Sequence, residues 1–275
     1  MSTMSPRNIL QMEVDQSTTL QPTKIFYLDH SHSHSREKSP ERHTYCAVID
    51  LTSRLSLSSN SHAVRGSNDS ASAFTFAPEF HERLRTVLND NAQTPLPTPT
   101  WLLTTASRFK GIGRTSRLTI TEHEPSPSPS TVIPPATSTS TTEPKKVVAE
   151  FHSSLLSFGA THISFPRDSS HSSHEITVKP LAIQRRAQSF VKDSVTYVWE
   201  STTPSSHSKL SLYKAVASKK VEVARYESSS GRFELKGILV LDEREVDALV
   251  AVVTLVGVLG QNDAFYCPGF DLIGK

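Results

Sequence analysis

The fold of this chain follows from one stretch near its C-terminus, Leu241-Asp-Glu-Arg-Glu-Val-Asp-Ala-Leu-Val-Ala-Val-Val-Thr-Leu-Val-Gly-Val-Leu-Gly-Gln261. Asp242 and Glu245 have the spacing of a capping box, which predicts that a helix starts at this point. Between Ala248 and Leu259 every residue is apolar or glycine except Thr254. We therefore predict a helix that has no polar face.

A helix of this kind must be buried on all sides or lie in lipid. Its apolar part, residues 248–259, is twelve residues long, whereas a transmembrane helix needs about 20. We therefore predict a helix enclosed by the rest of a folded domain. Four of its side chains are assigned to the structural core: Val252, Val253, Leu255 and Val256.

The composition indicates that the folded part is smaller than the chain. Only 36% of the residues are hydrophobic, against roughly 45–50% in typical globular chains. Cys46 and Cys267 lie far apart and form neither a disulfide framework nor a metal-ligand cluster, which suits a reducing compartment. No apolar signal-peptide core follows Met1. We expect a soluble intracellular protein without a transmembrane segment, in the cytoplasm or alternatively the nucleus.

Residues 1–94 are rich in Ser, His, Asn and Arg, which predicts a largely disordered N-terminal arm. Two short runs, 24–28 and 45–49, have the composition of strands. A short amphipathic helix is predicted over 78–90, because its apolar residues recur at helical spacing. It can dock on the domain or on a partner. These apolar residues are Phe80, Leu84, Val87 and Leu88.

The stiff run Thr94–Pro99 marks the predicted domain boundary, so the folded domain is assigned to residues 95–265 and a tail to 266–275. A Pro/Ser/Thr-rich segment, 124–144, is predicted to be a disordered insertion in the domain. The remaining domain sequence alternates apolar and polar residues, as in Leu210 and Leu212, between turn residues. The predicted strands cover 101–105, 117–121, 147–151, 161–165, 175–179, 187–190, 195–199, 209–214, 221–226 and 232–236, and the run 237–241 then leads into the apolar helix.

Period-2 alternation of this kind is typical of an antiparallel meander with one apolar face. Such a sheet and a helix that is apolar all round bury each other when the sheet curls around the helix. The predicted fold is therefore mainly β: an antiparallel β-barrel or curled sheet around a hydrophobic C-terminal helix.

Five packing motifs are similar to those of the fungal domain-of-unknown-function family 6593. They are Arg186-Ala-Gln-Ser-Phe190, Asp193, Tyr197-Val-Trp199, Leu210-Ser-Leu-Tyr213 and Val223-Ala-Arg-Tyr226, followed by the apolar helix. The family's usual Asp-Gly turn is Asp193-Ser194 here. The similarity covers about residues 95–262, apart from 124–144. It implies Trp199 and Tyr213 as further structural core residues.

That family resembles the tubby-like group, which includes scramblase-like and LURP-one-like domains. The resemblance implies a β-barrel around a hydrophobic C-terminal helix, and it carries over no catalytic residue because the family has no assigned activity. Some tubby-like proteins bind phosphoinositides, which implies an affinity for anionic headgroups here.

The sequence gives only weak signals for a metal site, a catalytic nucleophile or a phosphate-binding loop. The histidines at 30, 32 and 34, and at 171 and 174, lie in Ser-rich stretches rather than in a rigid frame, so no metal site is predicted. Ser, His and Asp are plentiful, but there is no nucleophile elbow, and Cys46 falls in the predicted arm. The pair Gly111 and Gly113 fits a hairpin turn better than a phosphate loop. We predict no cofactor and no enzymatic activity.

Basic residues are in excess in the predicted domain: residues 95–241 carry 18 Lys+Arg against 11 Asp+Glu. Lys110, Arg114 and Arg117 cluster around one predicted turn and are the candidate contacts to an anionic lipid headgroup. A solvated strand surface is the plainer interpretation of the same charges. Nucleic acid is disfavoured, since no basic strand with interleaved aromatic residues is visible.

The leading prediction is a non-enzymatic interaction or scaffold protein with a tubby-like domain. Two alternatives remain open: a peripheral binder of anionic lipid headgroups, and an enzyme of unknown class.

Overall fold

The computed structural model of the chain describes residues 9–31, 45–55, 78–89, 95–110, 113–122, 146–153, 160–182, 187–201, 208–229 and 236–266. The strands are β1 Glu13–Val14, β2 Lys24–Ser31, β3 Tyr45–Asp50, β4 Trp101–Lys110, β5 Gly113–Glu122, β6 Val147–Ser153, β7 Thr161–Ser164, β8 Ile176–Ala182, β9 Ala187–Lys192, β10 Val195–Ser201, β11 Lys209–Val216, β12 Lys219–Ser228 and β13 Gly237–Leu241. The helices described are α1 Pro78–Asn89 and α2 Ala248–Tyr266.

The strands β2 to β13 form a closed antiparallel barrel. Each strand pairs with the next one along the chain, and β13 pairs both with β12 and with β2, which closes the ring. β1 lies outside the ring and pairs in parallel with Lys219 and Lys220 of β12. The mainly β fold with a barrel around a C-terminal helix is therefore confirmed.

α2 fills the interior of the barrel. The four helix residues assigned to the core are buried: Val252, Val253 and Leu255 are fully enclosed and Val256 is 2% exposed. They pack in one cluster with the inward side chains of the strands, among which Trp199 is the largest fully buried one. The all-apolar helix and the apolar inner faces of the strands bury each other, so neither surface remains in contact with water.

The helix begins later than the capping-box pattern predicted. Its first residue is Ala248, and the Asp247 Oδ1 accepts a hydrogen bond from the Val250 N–H at 3.1 Å, which makes Asp247 the N-cap. The predicted cap, Asp242, instead closes the preceding turn, where its carbonyl accepts the N–H groups of Glu245 and Val246. The prediction was wrong because two turn-forming acidic residues lie five positions apart and only the second precedes the helix.

The domain boundary predicted at residue 95 is also corrected, since β2 and β3 belong to the barrel. β2 lies between β13 and β3, and β3 pairs with β4 from Tyr45 to Val48. Without these two strands, β4 and β13 would be unpaired sheet edges. Cys46 lies in β3 and is buried, so its assignment to a disordered arm was wrong. The runs 24–28 and 45–49 have the composition of strands, but the low average hydrophobicity of residues 1–94 led to their assignment to the arm and not to the barrel.

Tyr213 was assigned to the core, but it lies on the outer face of the barrel. It pairs with Val198 and Glu222 across the sheet, and Val198 belongs to a cluster outside the barrel with Ile9. Leu210 and Leu212 fill the interior, and successive residues of a strand face opposite sides. The Lys220 Nζ lies 4.8 Å from the centroid of the Tyr213 ring.

Two N-terminal pieces cover the outside of the barrel. The predicted amphipathic helix is confirmed as α1, which packs its apolar face on an outer cluster formed by β13, β2, β3 and β4. The segment around Ile9 packs on Ala187 and Val198 before β1 joins β12.

Some sequence predictions fall outside the described residues. They are the insertion 124–144, nearly all of the tail 266–275, and the strand predicted over 232–236 apart from Lys236.

Candidate functional site

The three basic residues proposed for headgroup binding lie in the β4–β5 hairpin, where the structure describes the backbone. Arg114 pairs with Phe109, and Arg117 pairs with Ala106. Lys110 pairs with Gly113 at the end of the ladder. The fold therefore brings the backbone of all three to one end of one hairpin, as the sequence predicted.

This hairpin extends beyond its neighbours in the described part of the chain. β3 pairs with β4 only as far as Thr104, and β6 pairs with β5 only from Ser116 onward. The hairpin itself continues to Lys110 and Gly113. Residues 105–117 carry four basic residues and no acidic one, so the projecting end is a segment of uniformly positive formal charge.

A polar cleft of about 210 Å³ lies at the end of the barrel where α2 begins. Its lining includes His171, Asp193 and Glu245. Three of the carboxylates that line it have partners: His171 Nε2 is 3.4 Å from Asp247, His174 Nε2 is 3.5 Å from Asp193, and Lys214 Nζ is 2.9 Å from Glu245. These three carboxylates are therefore engaged within the chain.

The histidines that the structure describes are not gathered into one site. His171 and His174 contact different carboxylates, and no group of three or more His, Cys, Asp or Glu residues with metal-binding geometry occurs in the described ranges. The histidines at 32 and 34 lie outside those ranges.

A second cleft, of about 190 Å³, lies between α1 and the outer face of the barrel. We call it the α1 groove; its lining residues include Tyr27, His81, Leu84, Leu88, Glu227 and Ile238. The Glu227 Oε1 lies 3.0 Å from the Lys209 Nζ. The Glu227 Oε2 is buried and has no hydrogen-bond partner among the described residues, and the His81 Nε2 lies 3.8 Å away from it.

Burial dominates the acid–base behaviour of this outer face. Desolvation, with the Asp29 and Cys46 charges second and third, raises the pKa of Tyr27 to about 12. Desolvation followed by the Glu222 and Glu200 carboxylates raises the pKa of Tyr213 to about 12. Both phenols are therefore neutral hydrogen-bonding groups at physiological pH.

Glu227 and His81 are not among the candidate binding residues predicted from the sequence. One signal was present: His81 lies between Phe80 and Leu84 on the apolar face of the predicted helix. Glu227 follows Tyr226, whose side chain is fully buried in the interior, so alternation places Glu227 on the outer face. Their meeting depends on where α1 docks, which local periodicity does not specify.

No family model matches this chain, and no curated protein or solved structure matches it. Among the helices that the structure describes, none combines the length and the hydropathy of a membrane-crossing segment.

Proposed function

We propose that this chain is a non-enzymatic interaction domain of the tubby-like type, which binds its partners on the outside of the barrel. The observation that carries the proposal is the occupation of the interior by α2, whose residues from Val250 to Leu259 are all buried. Many β-barrels bind small ligands in their interior. Here that space is taken by the chain itself, which favours the outer surface for recognition.

The test is chemical crosslinking of the full chain in a cell extract, followed by mass spectrometry. The expected result is a reproducible protein partner joined to exposed lysines of the outer surface, such as Lys179, Lys219 and Lys236. The affinity tag alone is the control. Recovery of no protein above that control would overturn the proposal.

A second candidate function is binding of anionic lipid headgroups, and the projecting β4–β5 hairpin favours it. A projecting end can reach a membrane surface while the barrel stays clear of it. Each basic residue near an anionic surface contributes about 1 kcal/mol, and the attraction falls as salt screens it.

Vesicle pelleting tests this candidate. Full-length chain is expected to sediment with phosphatidylserine vesicles at low salt and to be released at high salt. Replacing Lys110, Arg114 and Arg117 together by Gln should abolish sedimentation. The matched control replaces three other basic residues by Gln, namely Lys146, Lys179 and Lys236, which are exposed. Equal loss in both triple variants would show a general charge effect and reject the hairpin as the site.

A further inference from the structure

We propose that α1 is a displaceable latch, and that the α1 groove is a docking site for an amphipathic helix of a partner protein. The partner helix would carry a Lys or Arg placed to bind Glu227. This inference rests on the proposed interaction function and names the surface and the chemistry of the partner.

The surface under α1 is a well-formed apolar platform. Ile25 and Leu51 are fully buried, and Ile49, Ile238 and Val240 are no more than 5% exposed. The helix side of the contact is looser, because Phe80, Leu84, Val87 and Leu88 are all only partly buried. A cleft of about 190 Å³ separates parts of the two surfaces. The platform residues are therefore buried with α1 in place, whereas the apolar side chains of α1 itself remain partly exposed.

The unsatisfied carboxylate oxygen shows which group the groove lacks. A buried acceptor without a donor is destabilising, and a hydrogen bond to a carboxylate is among the stronger ones in proteins. At 3.8 Å the His81 Nε2 is too far from the Glu227 Oε2 for a hydrogen bond. A longer side chain with a terminal ammonium or guanidinium at the position of His81 reaches further along the groove.

The sequence of α1 indicates which kind of partner helix the groove accepts. α1 shows that the platform accepts a helix with apolar residues spaced as in Phe80, Leu84, Val87 and Leu88. A helix of twelve residues is marginal in isolation, so the helicity of α1 depends on this contact. A partner helix with the same apolar spacing covers the same platform, and a basic residue in place of His81 donates a hydrogen bond to the Glu227 Oε2.

The experiment uses the full chain and a fluorescent peptide of residues 76–91. Leu84→Asp and, separately, Leu88→Asp place a charge on the docking face of α1 and should release it. Thr86→Asp is the matched control, because Thr86 is exposed on the same helix. Fluorescence anisotropy should show at least about tenfold tighter peptide binding to the two release variants than to wild type or Thr86→Asp, because an occupied groove lowers apparent affinity.

The second arm tests the partner chemistry. A peptide carrying His81→Lys should bind the Leu84→Asp chain about threefold more tightly than the native peptide at low salt. Introducing Glu227→Gln into that chain should remove the gain and leave the native peptide's affinity nearly unchanged. A gain that persists with Glu227→Gln would overturn the assignment of Glu227.

Equal peptide binding by wild type and both release variants, or binding by none of them, would overturn the latch. Circular dichroism of each variant verifies that the barrel stays folded. If ultracentrifugation detected a wild-type dimer whose two copies exchange α1, the occupant of the groove would be a second copy of this chain. That result would overturn the proposed partner helix. The peptide assay involves only sequences of this chain and no external partner. Its failure would therefore reject the latch but not the interaction function, which the crosslinking experiment tests separately.

Discussion

Thr254 is the only hydroxyl in the apolar part of α2, and the structure shows what it does. Its Oγ1 accepts the Trp199 Nε1–H at 3.1 Å and donates to the Val250 carbonyl at 2.8 Å. Both Trp199 and Thr254 are fully buried. The hydroxyl therefore satisfies the indole N–H of the largest core side chain and fixes α2 against β10.

Thr254→Val keeps the shape of the side chain and removes this acceptor. Leaving the buried Trp199 N–H without a partner should lower the free energy of unfolding by about 1–3 kcal/mol. Urea unfolding followed by tryptophan fluorescence measures the change. Thr254→Ser, which keeps the hydroxyl, should preserve the near-ultraviolet dichroism of Trp199; a Val variant as stable as the parent would contradict this role.

Val253→Asp places a charge at a fully buried position of α2. An uncompensated buried charge costs several kcal/mol, about 3–5 or more, which should unfold the domain. Circular dichroism and thermal melting measure the loss. Val191→Asp makes the same change at a valine that is 47% exposed and should melt like the parent. Equal melting of both variants would contradict a buried helix.

The two raised tyrosine pKa values predict a loss of stability in alkali. An unfolded tyrosine ionises near pH 10, whereas Tyr27 and Tyr213 in the folded chain keep their protons until about pH 12. Below pH 10 this difference has no effect; between pH 10 and 12 the unfolded state releases protons that the folded state retains, so the free energy of unfolding falls as pH rises. Tyr213→Phe should reduce that slope in denaturant titrations. A slope equal to that of the parent would reject the shift at Tyr213.

At the scale of elements, the turn of the β9–β10 hairpin needs a backbone conformation that its residue types disfavour. Asp193 and Ser194 both have positive φ, 49° and 64°. Two such residues between paired strands form a type I′ turn, which prefers Asn or Asp followed by Gly. Ser194 stands at the position where glycine would remove the strain.

Ser194→Gly should therefore stabilise the domain by about 1 kcal/mol, since a residue with a Cβ pays roughly that much in the left-handed region. Thermal and urea unfolding measure the gain. Ser194→Ala removes the same hydroxyl and keeps the Cβ, so it should give no gain. Stabilisation by both variants would point to the hydroxyl and not to the backbone.

At the scale of the whole molecule, the N-terminal residues are structural parts of the barrel and its cover. β2 pairs with β13 across almost the full length of the chain, from Lys24 with Leu241 to Leu28 with Gly237. The N–H of Thr23 also donates to the Leu241 carbonyl at 2.8 Å. The barrel closes only when both ends of the chain are present.

A chain that begins at Pro95 should consequently fail to fold. It lacks β2 and β3, which leaves the edges of β4 and β13 unpaired and one side of α2 uncovered. Limited proteolysis with mass spectrometry of the full chain should yield a resistant core whose N-terminus lies before Lys24. A stable core beginning near residue 95, with native circular dichroism, would contradict the closed ring.

The sequence by itself determined an antiparallel sheet, as a barrel or a curled sheet, around the central helix, and it determined α1. Those features are encoded in periodicity between near neighbours: Leu210 and Leu212 in a strand, Phe80 and Leu84 in a helix, and the uninterrupted apolar run of α2. The basic hairpin was visible for the same reason, because its residues are close together along the chain.

The tertiary structure alone decided how the ring closes, which aspartate caps α2, and which groups meet in the α1 groove. β2 and β13 join residues from opposite ends of the chain, and Glu227 meets His81 only because α1 docks beside β12 and β13. Such contacts form between surfaces that exist only once the barrel has folded. No local sequence pattern therefore specifies them. Periodicity determines which face of an element is apolar, whereas packing decides what covers that face.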